Sequence, residues 1–168
     1  MSEKPPDTTR ASPPGPRRTG DEEHRAEALT ERAALDDLSF YSLSRGDADF
    51  IHQHVVDAWG AQTATEDDRP VGLTMALVGL YLHVEHGFTG RQVQRAHVYI
   101  AKRERAWPRF PLPGDRGAVR VEDVLAAPPG LERDEAIRVW ARAVWASFEA
   151  SHASVREHVR AWLDIEPP

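Results

Sequence analysis

The segment from Val71 to His86 carries apolar side chains on nearly every side of the helix that it predicts. A helix that is apolar all round is stable in water only when other elements cover it. A polar stretch, residues 65–70, precedes it, and Gly87 suits the left-handed position that ends many helices. The apolar run is too short for a bilayer, since a spanning helix needs roughly 20 apolar residues. We therefore predict the central helix of a bundle and no membrane span.

Two further helices are predicted on either side of this one. Asp47 is a good N-cap, which favours a helix from residue 47 to about 63. Thr89 and Gln92 have the spacing of a capping box, which predicts another helix from 90 to about 106. We expect three helices to pack together: 47–63, 71–86 and 90–106.

The rest of the chain extends this all-α prediction. Residues 1–20 hold five prolines and almost no large apolar side chain, which predicts a disordered leader. A surface helix is predicted over 21–38, and the prolines of 107–114 exclude a helix there. Apolar residues recur with helical spacing from 131 to about 163. The sequence thus predicts one compact helical domain, 21–168, with a proline-rich loop excursion and a long C-terminal helix that bends near residues 151–152.

Composition limits the chemistry. The chain has no cysteine, which excludes disulfides and thiolate metal sites, so any metal must be held by imidazole and carboxylate groups. The formal net charge of −6 argues against nucleic-acid binding, because domains that bind phosphate backbones are usually basic. The N-terminus has no apolar signal core, and we expect a cytoplasmic protein.

Polar side chains on the three helices form the candidate site. His54 and Asp57 lie three residues apart, a spacing that brings both to one side of a helix, and His97 falls on the inward side of the third helix. We predict these three as an acid–base set that acts on a small molecule. Together with two residues from the end of the central helix they are also candidate ligands of a divalent metal. The candidate ligands are His54, Asp57, Glu85, His86 and His97, with His83 as an alternative to the Glu85–His86 pair.

Two other interpretations stay open. Buried polar groups are commonly just paired with one another, so His54 and Asp57 could form a structural hydrogen bond. The chain has none of the familiar catalytic motifs, which favours a non-catalytic adaptor that binds a protein partner through its leader or through a basic stripe. That stripe consists of Arg91, Arg95, Lys102 and Arg105.

Four blocks of residues, in this order along the chain, resemble a known family: residues 50–62, 79–85, 89–97 and the pair Trp107–Pro108. The family is the bacterial domain of unknown function 5946, and the resemblance covers roughly residues 40–150. It implies a small, mostly helical, soluble protein and assigns no activity. Trp59 and Thr63 depart from the family pattern, in which tyrosine and histidine are expected.

Overall fold

The structure is a computed structural model that describes residues 20–165, with side chains from residue 26 onward. In this part of the chain there are seven α-helices and one short 3-10 turn, and no strand, so the all-α prediction is confirmed. The predicted leader lies outside the described residues except for Gly20. The helices are α1 (Gly20–Ser44), α2 (His52–Thr63), α3 (Pro70–His86), α4 (Gly90–Arg103), α5 (Val121–Ala126), α6 (Leu131–Ser147) and α7 (His152–Leu163).

Helix α3 lies at the centre of the bundle, as its composition predicts. It packs against α2, α4, α6 and α7, and the residues from Leu73 to Leu82 are buried except for Met75, which is partly buried. Gly87 ends the helix with a φ of 67°, and the Phe88 amide donates to the Leu82 carbonyl at 3.0 Å. This closing bond is the expected form of a left-handed helix end. The predicted packing of the three central helices is confirmed.

Helix α2 begins at His52 rather than at the predicted Asp47. Phe50 takes a positive φ of 57°, which interrupts the helical backbone. The cause is the start of α4, because the Arg91 amide donates to the Asp49 carbonyl at 2.8 Å and a side chain at Gly90 would overlap the Phe50 carbonyl. A contact between distant parts of the chain therefore overrides the local N-cap signal.

The long C-terminal helix is divided into α6 and α7, close to the predicted bend. Phe148 is buried and leaves helical geometry, and the Ser151 amide donates to its carbonyl at 2.8 Å in the 3-10 turn Glu149–Ser151. The His152 ring bonds the Trp145 carbonyl at 2.9 Å and stacks on the Trp145 ring at 3.8 Å. These contacts satisfy a carbonyl that a continuous helix would have bonded itself.

The segment between α4 and α5 is non-helical, as its prolines predict, and it is fixed to the body. The Gln62 side chain donates to the carbonyls of Arg116 and Val119 and accepts from the Trp140 indole. Thr74 donates to the Pro108 carbonyl at 3.1 Å. None of the helices in the described part of the chain is long and apolar enough to cross a membrane.

Candidate functional site

Asp57 is the most unusual polar residue of the core. Helix α2 directs it toward α3, where it is only 3% exposed. Its Oδ1 accepts a hydrogen bond from Gln53 Nε2 at 3.0 Å, whereas its buried Oδ2 has no partner among the described residues. The carboxyl rests directly on the backbone of Gly79, where a methyl group would overlap it. The glycine thus makes room for a carboxyl group inside the bundle.

Burial decides the protonation of Asp57. Desolvation raises the pKa of this carboxyl well above its usual range, and the hydrogen bond from Gln53 opposes the rise only in part. A charged carboxylate loses its hydration when it is buried, so the neutral acid is the favoured form. Asp57 therefore keeps its proton to a higher pH than an exposed aspartate does.

His97 comes from α4 and faces the same region. Its Nε2 is buried and has no partner among the described residues. Burial lowers the pKa of this imidazole to about 4, although a hydrogen bond to the Met75 carbonyl partly offsets the loss of hydration. The ring is therefore neutral near pH 7. A neutral imidazole nitrogen without a proton is a hydrogen-bond acceptor and a base.

Asp57 and His97 both line a pocket of about 480 Å³ between α2, the first half of α3 and α4. Its volume falls within the range of small-molecule sites. Two residues of opposite charge, Asp68 and Arg69, also line it. The remaining lining residues are mostly small or apolar: Gln53, Val56, Gly60, Ala64, Val71, Gly72, Leu73, Met75 and Ala76.

His54 does not line this pocket. It is 4% exposed and stacks on the His83 ring, with the ring centroids 3.6 Å apart. Burial, and then the nearby His83, lower the pKa of His54 to about 3. His83 in turn bonds the Phe88 carbonyl at 3.1 Å. The structure therefore brings Asp57 and His97 to one pocket and places His54 in a separate, stacked histidine pair.

Glu85 lies apart from the pocket. Its carboxylate accepts from the Trp145 indole at 2.9 Å and from the Arg156 guanidinium at 2.8 and 3.0 Å. Burial raises its pKa, but the bonds from Trp145 and Arg156 outweigh that and leave the pKa below its usual value. These contacts tie α3, α6 and α7 together, which is a structural role.

His86 is likewise engaged elsewhere. Its Nε2 bonds the Tyr81 hydroxyl at 2.8 Å, and the two rings meet edge to face. Of the five residues predicted as metal ligands, Asp57 and His97 line one pocket, whereas His54, Glu85 and His86 each have other surroundings. Across residues 26–165, no three His, Asp or Glu side chains are grouped so that they could hold a metal ion.

Other residues of the site were not predicted. Gln53 holds Asp57 through an i, i+4 contact, and Gly79 interrupts an apolar helix where nothing local requires glycine. A glycine inside a helix often indicates that another part of the chain approaches its backbone closely. The sequence therefore does carry a signal for the contact at Gly79. None of the residues of the proline-rich loop 107–114 lines the pocket. It packs beside the pocket, against residues 65–73.

The basic stripe on α4 is exposed, as its spacing predicts. The Arg91 guanidinium lies over the Phe50 ring at 4.6 Å, and Arg103 lies over Tyr99 at 3.5 Å. Arg105 follows α4 and donates to carbonyls of the last turn of that helix. Among the described residues none of these cations has an acidic partner within 4.0 Å.

Comparison with known proteins gives a family but no activity. No curated protein matches the chain. No solved structure matches it either. A family of unknown function, DUF5946, matches residues 32–149, which is more than half of the sequence. This match confirms the resemblance that the sequence shows, and the chain belongs to that family.

Proposed function

We propose that this protein is a small acid–base enzyme that acts on a small molecule in the pocket between α2, α3 and α4. One observation carries the proposal: Asp57 and His97 both line this pocket, and each has a buried polar atom without a partner in the part of the chain that the structure describes. Such atoms cost roughly 1–3 kcal/mol each when nothing binds them. A ligand that bonds both atoms would recover that free energy.

The two groups have complementary roles. Burial raises the pKa of Asp57, which favours the protonated form that can donate a proton, and keeps His97 neutral, so it can accept one. Pairs whose pKa values are pushed in opposite directions are typical of acid–base sites. In one turnover His97 takes a proton from the substrate and Asp57 gives one to it. The imidazolium and the carboxylate then return to their neutral forms by proton exchange with solvent.

A thermal-shift screen of small metabolites tests the proposal. Compounds that raise the melting temperature of the wild type should lose this effect in His97→Ala, and turnover of any of them should fall by at least tenfold in Asp57→Asn. Removing general acid–base catalysis typically costs roughly 10²–10⁴ in rate. Gln94→Ala is a matched control, because Gln94 is on α4 and does not line the pocket. Hits that stabilise His97→Ala as well as the wild type would contradict the proposal.

The metal-dependent version of the enzyme has less support, since Glu85 and His86 are engaged with other residues. Elemental analysis of the purified protein tests it directly. Stoichiometric metal that is lost in His97→Ala would favour that version over the metal-free one. The cytoplasmic location stays a prediction.

One observation favours the adaptor as a second candidate. Helix α1 exposes Leu29, Phe40 and Leu43 on one side, and Phe40 is 76% exposed. Exposed apolar residues in one row are typical of a surface that meets a partner, and we take that partner to be α1 of a second copy of the chain. Sedimentation velocity should then show a dimer that Phe40→Ser dissociates. A wild-type monomer at 100 µM (on the order of a weak dimer's Kd) would contradict this candidate.

A further inference from the structure

We propose that the groove between α4 and the end of α7 binds a single-chain anionic amphiphile, a ligand whose apolar chain ends in a carboxylate. This groove shares no lining residue with the pocket that contains Asp57 and His97, so the inference is independent of the proposed function. Two features carry it. The lining is mostly apolar, and the one arginine in it, Arg95, has no acidic partner among the described residues.

The groove has a volume of about 430 Å³, which falls within the range of small-molecule sites. Its apolar lining comes from the turn after α3, from α4 and from the end of α7. The residues that contribute are Phe88, Ala96, Tyr99, Leu163 and Ile165. Only Tyr99 among them is exposed, and the others are buried or half-buried. A ligand therefore reaches them by inserting between the two elements, which a single alkyl chain can do and a flat bilayer surface cannot.

The local backbone fixes both sides of the groove. On one side the Phe88 carbonyl accepts a hydrogen bond from the His83 ring at 3.1 Å, in the turn that closes α3. On the other side Asp164 takes a left-handed φ of 55°, which ends α7. The apolar residues before and after it, Leu163 and Ile165, both line the groove. A site that is already formed costs a ligand less ordering free energy than a flexible one.

Arg95 determines the charge of the groove. No acidic side chain lines the groove in the part of the chain that the structure describes, and Gln92 adds a neutral polar group. Among residues 26–165 the Arg95 guanidinium lies over no aromatic ring, whereas Arg91 and Arg103 each lie over one. A guanidinium presents paired N–H donors in a geometry that the two oxygens of a carboxylate match.

The rest of the basic stripe favours a ligand of the same charge. Arg91 and Lys102 lie one and two turns from Arg95 on the exposed side of α4. Residues 90–105 carry five arginine or lysine side chains and one glutamate, in a chain whose formal net charge is −6. Such a local positive potential attracts anions. Because a single guanidinium lines the groove, a monoanion such as a carboxylate matches its charge.

Octanoate and octanamide are matched probes, since they share an alkyl chain and differ in the charge of the head group. Amide chemical-shift titration of the full chain at pH 7, with octanoate below its micelle-forming concentration, measures both the affinity and the place of binding. We expect shifts around Arg95, Ala96 and Leu163. Octanoate should bind at least about fivefold more tightly than octanamide, because hydrogen bonds between two charged groups are the stronger kind. Equal or tighter binding of octanamide would overturn the proposal.

The length of the alkyl chain tests the apolar part of the site. From hexanoate to octanoate, each added methylene should raise the affinity by up to about fourfold, as expected for a methylene that leaves water. Leu163→Ala should weaken octanoate and octanamide alike, because it removes apolar lining and no charge. Affinity that does not rise with chain length would overturn the proposal.

Two charge variants test the role of Arg95. Arg95→Gln removes the charge and should weaken octanoate at least about fivefold, while octanamide changes by no more than about twofold. Lys102→Gln is a matched control, because it removes a charge from the same stripe and Lys102 does not line the groove. It should change octanoate binding by no more than about twofold. Equal losses in the two variants would show that only the general positive potential attracts the probe, and would overturn the proposal.

Other occupants of the groove would give different results. Vesicles of phosphatidylcholine and phosphatidylglycerol that bind the wild type but not Arg95→Gln, without any octanoate binding, would indicate a membrane surface and overturn the proposal. Octanoate binding at least about fivefold tighter in Glu166→Gln would indicate that the chain's own carboxylate already occupies Arg95, and would also overturn it. No binding of octanoate in the groove would overturn this inference and leave the proposed function, which concerns the other pocket, unaffected.

Discussion

At the scale of single residues, burial raises the pKa of Asp57 and lowers the pKa of His97, so it favours the neutral form of both groups. The sequence gives the positions of both groups and places them on inward faces. It does not give their protonation, because that depends on desolvation and on partners such as Gln53 and Met75, which the fold brings into contact. His54 shows the same limit, since its stacking on His83 comes from the packing of α2 on α3.

The raised pKa of Asp57 predicts how Asp57→Asn changes stability with pH. In the unfolded chain the carboxyl loses its proton above about pH 4, whereas in the folded chain it keeps the proton to a higher pH. The wild type therefore loses stability relative to the variant as pH rises above the unfolded pKa, by up to about 1.4 kcal/mol per pH unit until the carboxyl ionises in the folded protein as well. Urea unfolding of both proteins across this range measures the difference. Thr89→Ala, which changes no titratable group, should show a constant difference from the wild type.

A difference between Asp57→Asn and wild type that does not change with pH would show that the carboxyl is ionised in the folded protein. That result would remove the acid from the proposed pair.

The close approach of Asp57 to Gly79 predicts a second effect. Gly79→Ala places a methyl group into the carboxyl and should destabilise the fold by about 1–3 kcal/mol. Gly72→Ala is a matched control in the same helix, where a Cβ meets nothing within 4 Å. It should be neutral or stabilise by up to about 1 kcal/mol, because alanine favours a helix over glycine. Equal effects of the two changes in thermal unfolding would contradict the contact.

At the scale of helices, local signals predict most ends. The capping box at Thr89 is present, with the Gln92 amide donating to the Thr89 hydroxyl at 3.3 Å and the Thr89 amide donating to the Gln92 side chain at 2.8 Å. The N-cap signal at Asp47 does not start α2, because the Asp49 carbonyl accepts from the Arg91 amide and the backbone there is not helical. Helix ends that are capped by neighbouring residues can be predicted from the sequence. Helix ends that depend on a contact with a distant helix cannot.

The capping box predicts the cost of Thr89→Ala. The change removes an acceptor for a free amide of the first turn of α4 and should lower the free energy of unfolding by about 1 kcal/mol. Because Thr89 does not line the pocket, ligand binding should be unchanged. Denaturant unfolding, together with thermal shifts of the compounds that stabilise the wild type, checks both statements. Lost binding at unchanged stability would place the turn in the site.

At the scale of the whole molecule, the apolar segment that becomes α3 is enough to predict a bundle with a central helix. The partners of its polar residues cannot be predicted from the sequence, because side chains that are adjacent in the chain contact different helices and residues. Glu85 faces α6 and α7 through Trp145 and Arg156, and His86 turns to Tyr81. Residues three apart on α2 diverge in the same way, since Asp57 lines the pocket and His54 stacks on His83.

Buried neutral histidines predict that the molecule is less stable in acid. His54 and His97 have folded pKa values of about 3 and 4, whereas in the unfolded chain they bind protons below about pH 6.5. Each therefore lowers stability as pH falls from 6.5 toward 4, approaching about 1.4 kcal/mol per pH unit. His97→Gln removes one of these titrating groups, so the slope of the unfolding free energy against pH should fall by the contribution of one proton. Unfolding free energies at pH 5 and pH 7 measure it, and an unchanged dependence would contradict the burial of a neutral His97.

The central claim is that Asp57 and His97 are a neutral acid and a neutral base at one pocket. The most direct test is an NMR measurement at pH 6 of the Asp57 carboxyl carbon and the His97 ring nitrogens in the same sample of the wild-type chain. We expect a protonated Asp57 carboxyl together with a neutral His97 ring that carries a single proton. An ionised Asp57 beside a doubly protonated His97 would contradict it, because that result would show a conventional ion pair.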